Sequence, residues 1–96
     1  MATFISLVNF TDQGIRNVKE TTTRAEAFTG AATKLGLSVK SIYWTSGSYD
    51  VVVVTEGSDE AAMAALLSLG ALGNVRSQTL HAYTAAEIKK IIALMP

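Results

Sequence analysis

Asp50 is the residue best placed to do chemistry. It follows Tyr49 and immediately precedes four valines, Val51 to Val54. A carboxylate heading an apolar strand could face a cavity and act as a base or as an acceptor for a ligand. Aspartate beside a turn more often bonds nearby backbone N–H groups, and that structural role is preferred. His81 is the only histidine. A lone histidine can carry a proton near neutral pH, and a symmetric pair of chains would supply two. No nucleophile stands at recognisable spacing from it, and Ser6, Ser41, Ser77 and Thr79 read as ordinary sheet residues. A structural histidine is the preferred reading, and no catalytic residue is assigned.

Asp12, Glu56, Asp59 and Glu60 are scattered acids. Asp59 and Glu60 fit the positive end of a helix dipole better than a metal. One histidine, no cysteine and dispersed carboxylates do not make a zinc or iron site. The glycine-rich nucleotide signatures are missing. The expectation is therefore no metal and no cofactor.

Composition narrows the classes further. Eight basic and eight acidic residues cancel, which argues against a surface built for phosphate backbones. Of 96 residues, 49% are hydrophobic and only 17% charged, so one domain spanning 1–96 has ample material for a core. The longest apolar runs, Val51–Val54 and Ala61–Leu67, are far too short to span a bilayer, and no leader sequence is evident. A cytoplasmic protein without a membrane partner is the default expectation.

Local signals predict the elements that carry these residues. Thr3 to Phe10 is a β-branched and aromatic strand. Thr11 and Asp12 begin a helix whose apolar positions are Ile15, Val18, Ala25, Phe28, Ala32 and Leu35. Arg16, Lys19, Glu20 and Arg24 form its mixed-sign outer face, with Glu20 and Arg24 one turn apart. Gly36 and Leu37 terminate it. Leu37–Thr45 and Ser48–Glu56 read as two strands joined at a tight Ser46-Gly47 turn, which would place Trp44 opposite Tyr49 and Tyr43 opposite Asp50. Ser58 caps a second helix running to about Leu69, with Gly70 and Gly73 closing it. Asn74–Tyr83 is a fourth strand. Thr84 and Glu87 form a capping box for a last helix carrying Ile88, Ile91, Ile92 and Met95.

The order β-α-β-β-α-β plus a C-terminal helix is that of an α+β, ferredoxin-like domain with a four-stranded antiparallel sheet. Its two main helices cover one sheet face. The other should be polar in a monomer, yet both faces are apolar. Ile5 and Leu7 oppose Phe4, Val8 and Phe10; Val52 and Val54 oppose Val51 and Val53; Ile42 and Trp44 oppose Val39 and Tyr43. An exposed patch of several hundred Å² is uncommon on a monomer. A homodimer with sheets packed into a dimeric α/β barrel is favoured over a monomer lidded by its own last helix. The topology is shared with RNA-recognition modules, but Ser6, Val51 and Val53 stand where stacking rings are needed. No nucleic-acid partner is expected.

The stretch Gly47-Ser48-Tyr49-Asp50-Val51-Val52-Val53-Val54, together with Leu69-Gly70-Ala71-Leu72-Gly73-Asn74-Val75-Arg76, resembles the GYD-domain family from Phe4 to the last helix. That resemblance implies a small, mostly bacterial protein of the dimeric α/β-barrel type, with no settled biochemical function. Relatives often carry a charged residue where Ser48 stands. The Gly47–Asp50 hairpin is also similar to that of Lrp/AsnC-type ligand-binding domains, which bind small molecules at subunit contacts.

The functional expectation is a homodimer that binds a small, largely apolar molecule in or beside the barrel interior. Tyr43, Trp44, Tyr49, Asp50 and His81 are the residues expected to line that site. The alternatives are a cofactor-free oxygenase or isomerase, by analogy of fold alone, and an assembly or regulatory module without a pocket.

Overall fold

The computed structural model describes all residues, 1–96. Four strands, β1 (Ala2–Phe10), β2 (Ser38–Trp44), β3 (Val51–Gly57) and β4 (Val75–Ala82), form one antiparallel sheet in the order β2-β3-β1-β4. Helices α2 (Thr21–Lys34) and α3 (Asp59–Ala71) are the crossovers. A short α1 (Asp12–Arg16) and a 3₁₀ turn (Val18–Glu20) precede α2, and α4 (Ala85–Ile92) follows β4. The fold is the expected ferredoxin-like α+β arrangement with an added C-terminal helix.

Several local signals act as read. Ser58 Oγ accepts from the Ala61 N–H at 3.1 Å at the start of α3. Thr84 and Glu87 exchange both bonds of a capping box at the start of α4. At the end of α2, Gly36 takes a φ of 85°. The Leu37 N–H then reaches back to Ala32 O, and the Gly36 N–H to Thr33 O. This is a Schellman closure, with Leu37 buried beneath it.

Three local expectations need correction. The first helix is broken at Asn17, whose φ of −107° and ψ of 28° leave the helical region. Arg24 accordingly does not sit on a solvated outer face opposite Glu20. It is half-buried and donates to the carbonyls of Asn17 and Gly14, closing the break. The second correction is the hairpin. Trp44 pairs with Val51 and Tyr43 with Val52, so the connection is a longer loop rather than a two-residue turn. The Thr45 N–H donates to Asp50 O at 2.8 Å, so the same register runs one step past the strands and the loop lies between Thr45 and Asp50. The third is strand β2, where a bulge between Val39 and Ser41 breaks the alternation. Val39 therefore joins Ile42 and Trp44 on the helix side, and Ser41 and Tyr43 take the opposite face.

The helices cover the face carrying Phe4, Ser6, Val8 and Phe10. Two buried clusters form beneath them. Phe4, Ala32, Leu37, Ala61, Ala62 and Ala65 make one, and Val8, Val51 and Val53 the other; half-buried Phe28 and Val39 touch both. Within this layer Ser6 Oγ and Thr79 Oγ1 lie 2.8 Å apart, a cross-strand pair that satisfies both hydroxyls.

Only 13 of 96 residues are buried, so much apolar surface stays in contact with water. Ile5, Leu7, Val52 and Val54 on the open sheet face are half-buried at best, and Leu80 is exposed. Helix α4 has no buried residue and leaves Ile88, Ile91 and Ile92 in solvent. The radius of gyration is 14.6 Å, against about 12–13 Å for a compact domain of this length. No helix is long and apolar enough to cross a membrane.

Candidate functional site

An apolar cavity of about 320 Å³ opens between the helices and the sheet, and 16 of its 20 lining residues are hydrophobic. Its floor is the end of the sheet where Val8, Phe10, Val51, Val53, Ile42 and Trp44 converge. Its roof is the sheet-facing side of α2, mainly Ala25, Phe28 and Ala32, joined by Ala65 and Leu69 of α3. The reason for the space is sequence-level. Helix α2 offers methyl groups where a packed helix would offer leucines, so it cannot fill the gap above β1 and β3. The cavity is therefore lined by large residues from the strands, and on α2 by the small Ala25, Ala27, Ala31 and Ala32 around a single Phe28.

Side-chain bonds hold its rim. Trp44 Nε1 donates to Thr21 Oγ1 at 3.1 Å, tying the end of β2 to the first turn of α2. Arg24 lines the cavity and anchors the α1–α2 break through Asn17 O at 2.7 Å and Gly14 O at 3.4 Å. Gly14 in turn lies against Asn74, another lining residue. A Cβ built on Gly14 would fall 1.9 Å from Asn74 O, so only glycine permits this approach. Gln13 Nε2 bonds Leu72 O and Asn74 Oδ1, both at 3.0 Å, and Thr11 Oγ1 donates to Gly73 O. The loop Leu72–Asn74 is thus stapled to α1. Gly73 makes the necessary turn with a φ of 81°.

The five residues expected to form a site do not converge. Trp44 lines the cavity. Tyr43 is 63% exposed on the open sheet face. Tyr49 lies in the β2–β3 loop, half-buried, where its carbonyl accepts from Thr45 Oγ1. Asp50 Oδ2 accepts from the Phe10 N–H at 2.9 Å, and the Asp50 N–H donates to Val8 O at 2.9 Å. The carboxylate therefore bonds a neighbouring strand rather than its own hairpin. His81 is parallel to Tyr83, at 4.8 Å between centroids and 3° between planes, and 5.2 Å from Phe4. It pairs with Phe4, six residues and roughly 20 Å along β1 from Phe10 at the cavity. No group of three histidine or acidic side chains gathers where a metal could bind.

Sequence reasoning passed over Phe10, Phe28, Arg24 and Asn74 as site residues. A usable signal existed in the small residues of α2, Ala25 and Ala32, on the side facing large strand residues.

The motif strand β3 and the Leu72–Asn74 loop are both structural parts of this cavity's wall, and the match to known families covers them. The GYD domain model matches residues 4–92. The chain belongs to the GYD domain family. A solved structure of this fold, TTHA0845 from Thermus thermophilus, is 25% identical to this GYD protein, with a TM-score of 0.51 over 88% of this chain and 96% of that one. No curated protein matches the chain. In this GYD protein the motif tyrosine and aspartate, Tyr49 and Asp50, serve the β2–β3 connection, and the aspartate is a backbone acceptor.

Proposed function

We propose that this GYD-domain protein is a homodimer that binds a small, largely apolar molecule. Each subunit holds that molecule between its own helices and sheet. The observation that carries the reading is the cavity of about 320 Å³ with its hydrophobic lining. Ligand sites of small molecules occupy about 300–1,000 Å³ and are mostly apolar. An engineered apolar cavity of about 150 Å³ already stays dry and takes up benzene. An enclosed void of 320 Å³ left unfilled would cost about 8 kcal/mol at roughly 24 cal/mol per Å³. The cavity is partly open, so that is an upper limit.

Dimerisation is supported by a different surface. Ile5, Leu7, Val52, Val54 and Leu80 line the sheet face without helices, and α4 carries an apolar stripe with nothing beneath it. A second copy docking sheet to sheet would cover the first, and the helices give it a ready second contact.

Trp44 is the only tryptophan and lines the cavity, so its fluorescence reports occupancy. Titration with 1-octanol should change that fluorescence saturably. Ala25→Leu, which fills the roof, should weaken the response while leaving circular dichroism unchanged. No saturable response, or full binding by a folded Ala25→Leu protein, would overturn the reading.

A further inference from the structure

We infer that the molecule held in this cavity is an amphipathic monocarboxylic acid, with its hydrocarbon part among the apolar walls and its carboxylate on Arg24. This rests on the reading that the cavity holds a small apolar molecule.

Four of the lining residues are polar: Thr21, Arg24, Ser68 and Asn74. All four make hydrogen bonds within the chain: Thr21 Oγ1 accepts from Trp44, Ser68 Oγ donates to Ala64 O, Asn74 Oδ1 accepts from Gln13, and Arg24 donates to Asn17 O and Gly14 O. Arg24 differs in being the only charged group on the walls. It is half-buried, and its bonds go to two carbonyls, not to Glu20 or any other carboxylate.

A guanidinium carries five N–H donors and keeps its charge at all accessible pH. Two donors are used, and the bond to Gly14 O is long at 3.4 Å. The remaining N–H groups can donate to the two oxygens of a carboxylate, the geometry arginine matches best. Carbonyl dipoles answer a partly desolvated cation less well than an anion does.

The same arrangement limits the alternatives. One cation on the rim matches one negative charge, so a dianion would carry an unanswered charge into apolar surroundings. An amine would meet repulsion. A plain hydrocarbon would fill the walls but leave Arg24 without a counter-charge. The position is also right. Arg24 bonds Gly14, which packs on Asn74, so the guanidinium sits where α1 meets the end of the cavity rather than deep within it. A carboxylate there need not be fully buried.

The test compares octanoate with 1-octanol at neutral pH on the full chain, read by Trp44 fluorescence and by calorimetry. The wild type should bind octanoate at least about tenfold more tightly than 1-octanol, the least that a charge-assisted bond contributes. Arg24→Gln should bring octanoate down to the level of 1-octanol, so that the ratio of the two affinities falls to about one. Arg24→Lys, which keeps the charge but not the fork, should retain part of the preference. The ratio of the two probes within each variant separates ligand recognition from the closing of the helix break, because loosening of the rim weakens both probes alike. Equal binding of the two probes by the wild type, or an octanoate preference that survives Arg24→Gln, would overturn the inference and leave the apolar site standing. Failure of both probes to bind the wild type would overturn the cavity reading as well. Should Arg24→Gln not fold, the wild-type ratio and Arg24→Lys decide the matter.

Discussion

The carboxylate of Asp50 takes the place of a backbone carbonyl in front of the Phe10 N–H, at 2.9 Å. Val51 is the last β3 residue to pair with β1, opposite Val8. One residue further, the Asp50 N–H still donates to Val8 O while its carbonyl accepts from the Thr45 N–H, and the Asp50 carboxylate supplies the acceptor for the next β1 N–H. Phe10 is thereby held at the floor of the cavity. The preference for a backbone-bonding role at Asp50 holds, with the partner on β1 instead of within the hairpin.

Asp50→Ala removes that acceptor and leaves a part-buried N–H without a partner. Stability should fall by about 1–3 kcal/mol. Asp50→Asn keeps an oxygen in place and should lose less. Urea unfolding of the three proteins checks this. Equal stability of Asp50→Ala and the wild type would show that the Phe10 bond contributes nothing.

Two glycines should respond to alanine with opposite signs. At Gly14 the added methyl would meet Asn74 O at 1.9 Å, so α1 or the Leu72–Asn74 loop must move. Overpacking of this kind costs about 1–3 kcal/mol, more than the helix-propensity gain of at most about 1 kcal/mol. Gly30, inside α2, has nothing within 4 Å of the same atom. Gly30→Ala should stabilise by up to about 1 kcal/mol. Thermal unfolding of both variants gives the signs directly.

These examples show which features were legible in the chain. Ser58, Gly36, Leu37, Thr84 and Glu87 act through bonds to residues three to five positions away, so their spacing carries the whole message. The role of Asp50 depends on register against β1, forty residues away. The bulge after Val39 and the break at Asn17 are answers to packing, with no local punctuation to mark them. The cavity was least legible of all. It arises only when the alanines of α2 come to rest over Val8, Phe10 and Val53, a meeting that periodicity within one helix does not describe. Arg24 was misplaced for the same reason, because its spacing from Glu20 fits a solvated pair equally well.

Helix α4 should loosen in acid. Glu87 accepts from the Thr84 N–H at 2.8 Å, and that bond holds its carboxyl below the usual carboxylate value. A depressed folded pKa means that the favourable contribution is present above the unfolded value. It fades as pH falls through the folded one. Amide exchange across Ala85–Ile92 should therefore accelerate below the ordinary glutamate range. Glu87→Gln should flatten that pH dependence. Exchange that is independent of pH, after correction for the intrinsic rate, would contradict the capping role.

The sheet face without helices should carry the dimer contact. Leu80 lies there, and Leu80→Lys would place a charge in the interface opposite a copy of itself or its neighbours. Sedimentation equilibrium should give twice 10.2 kDa for the wild type and a shift toward 10.2 kDa for Leu80→Lys. A wild-type mass of one chain at micromolar concentration would exclude the homodimer.

Where an apolar molecule binds can be seen most directly with a heavy-atom probe. Crystals soaked in 8-bromo-1-octanol should show anomalous bromine density inside each subunit, between Phe28 of α2 and Val53 of β3. Bromine confined to the space between two sheets, or to the outer surface, or absent from an accessible cavity, would contradict a ligand site within the subunit.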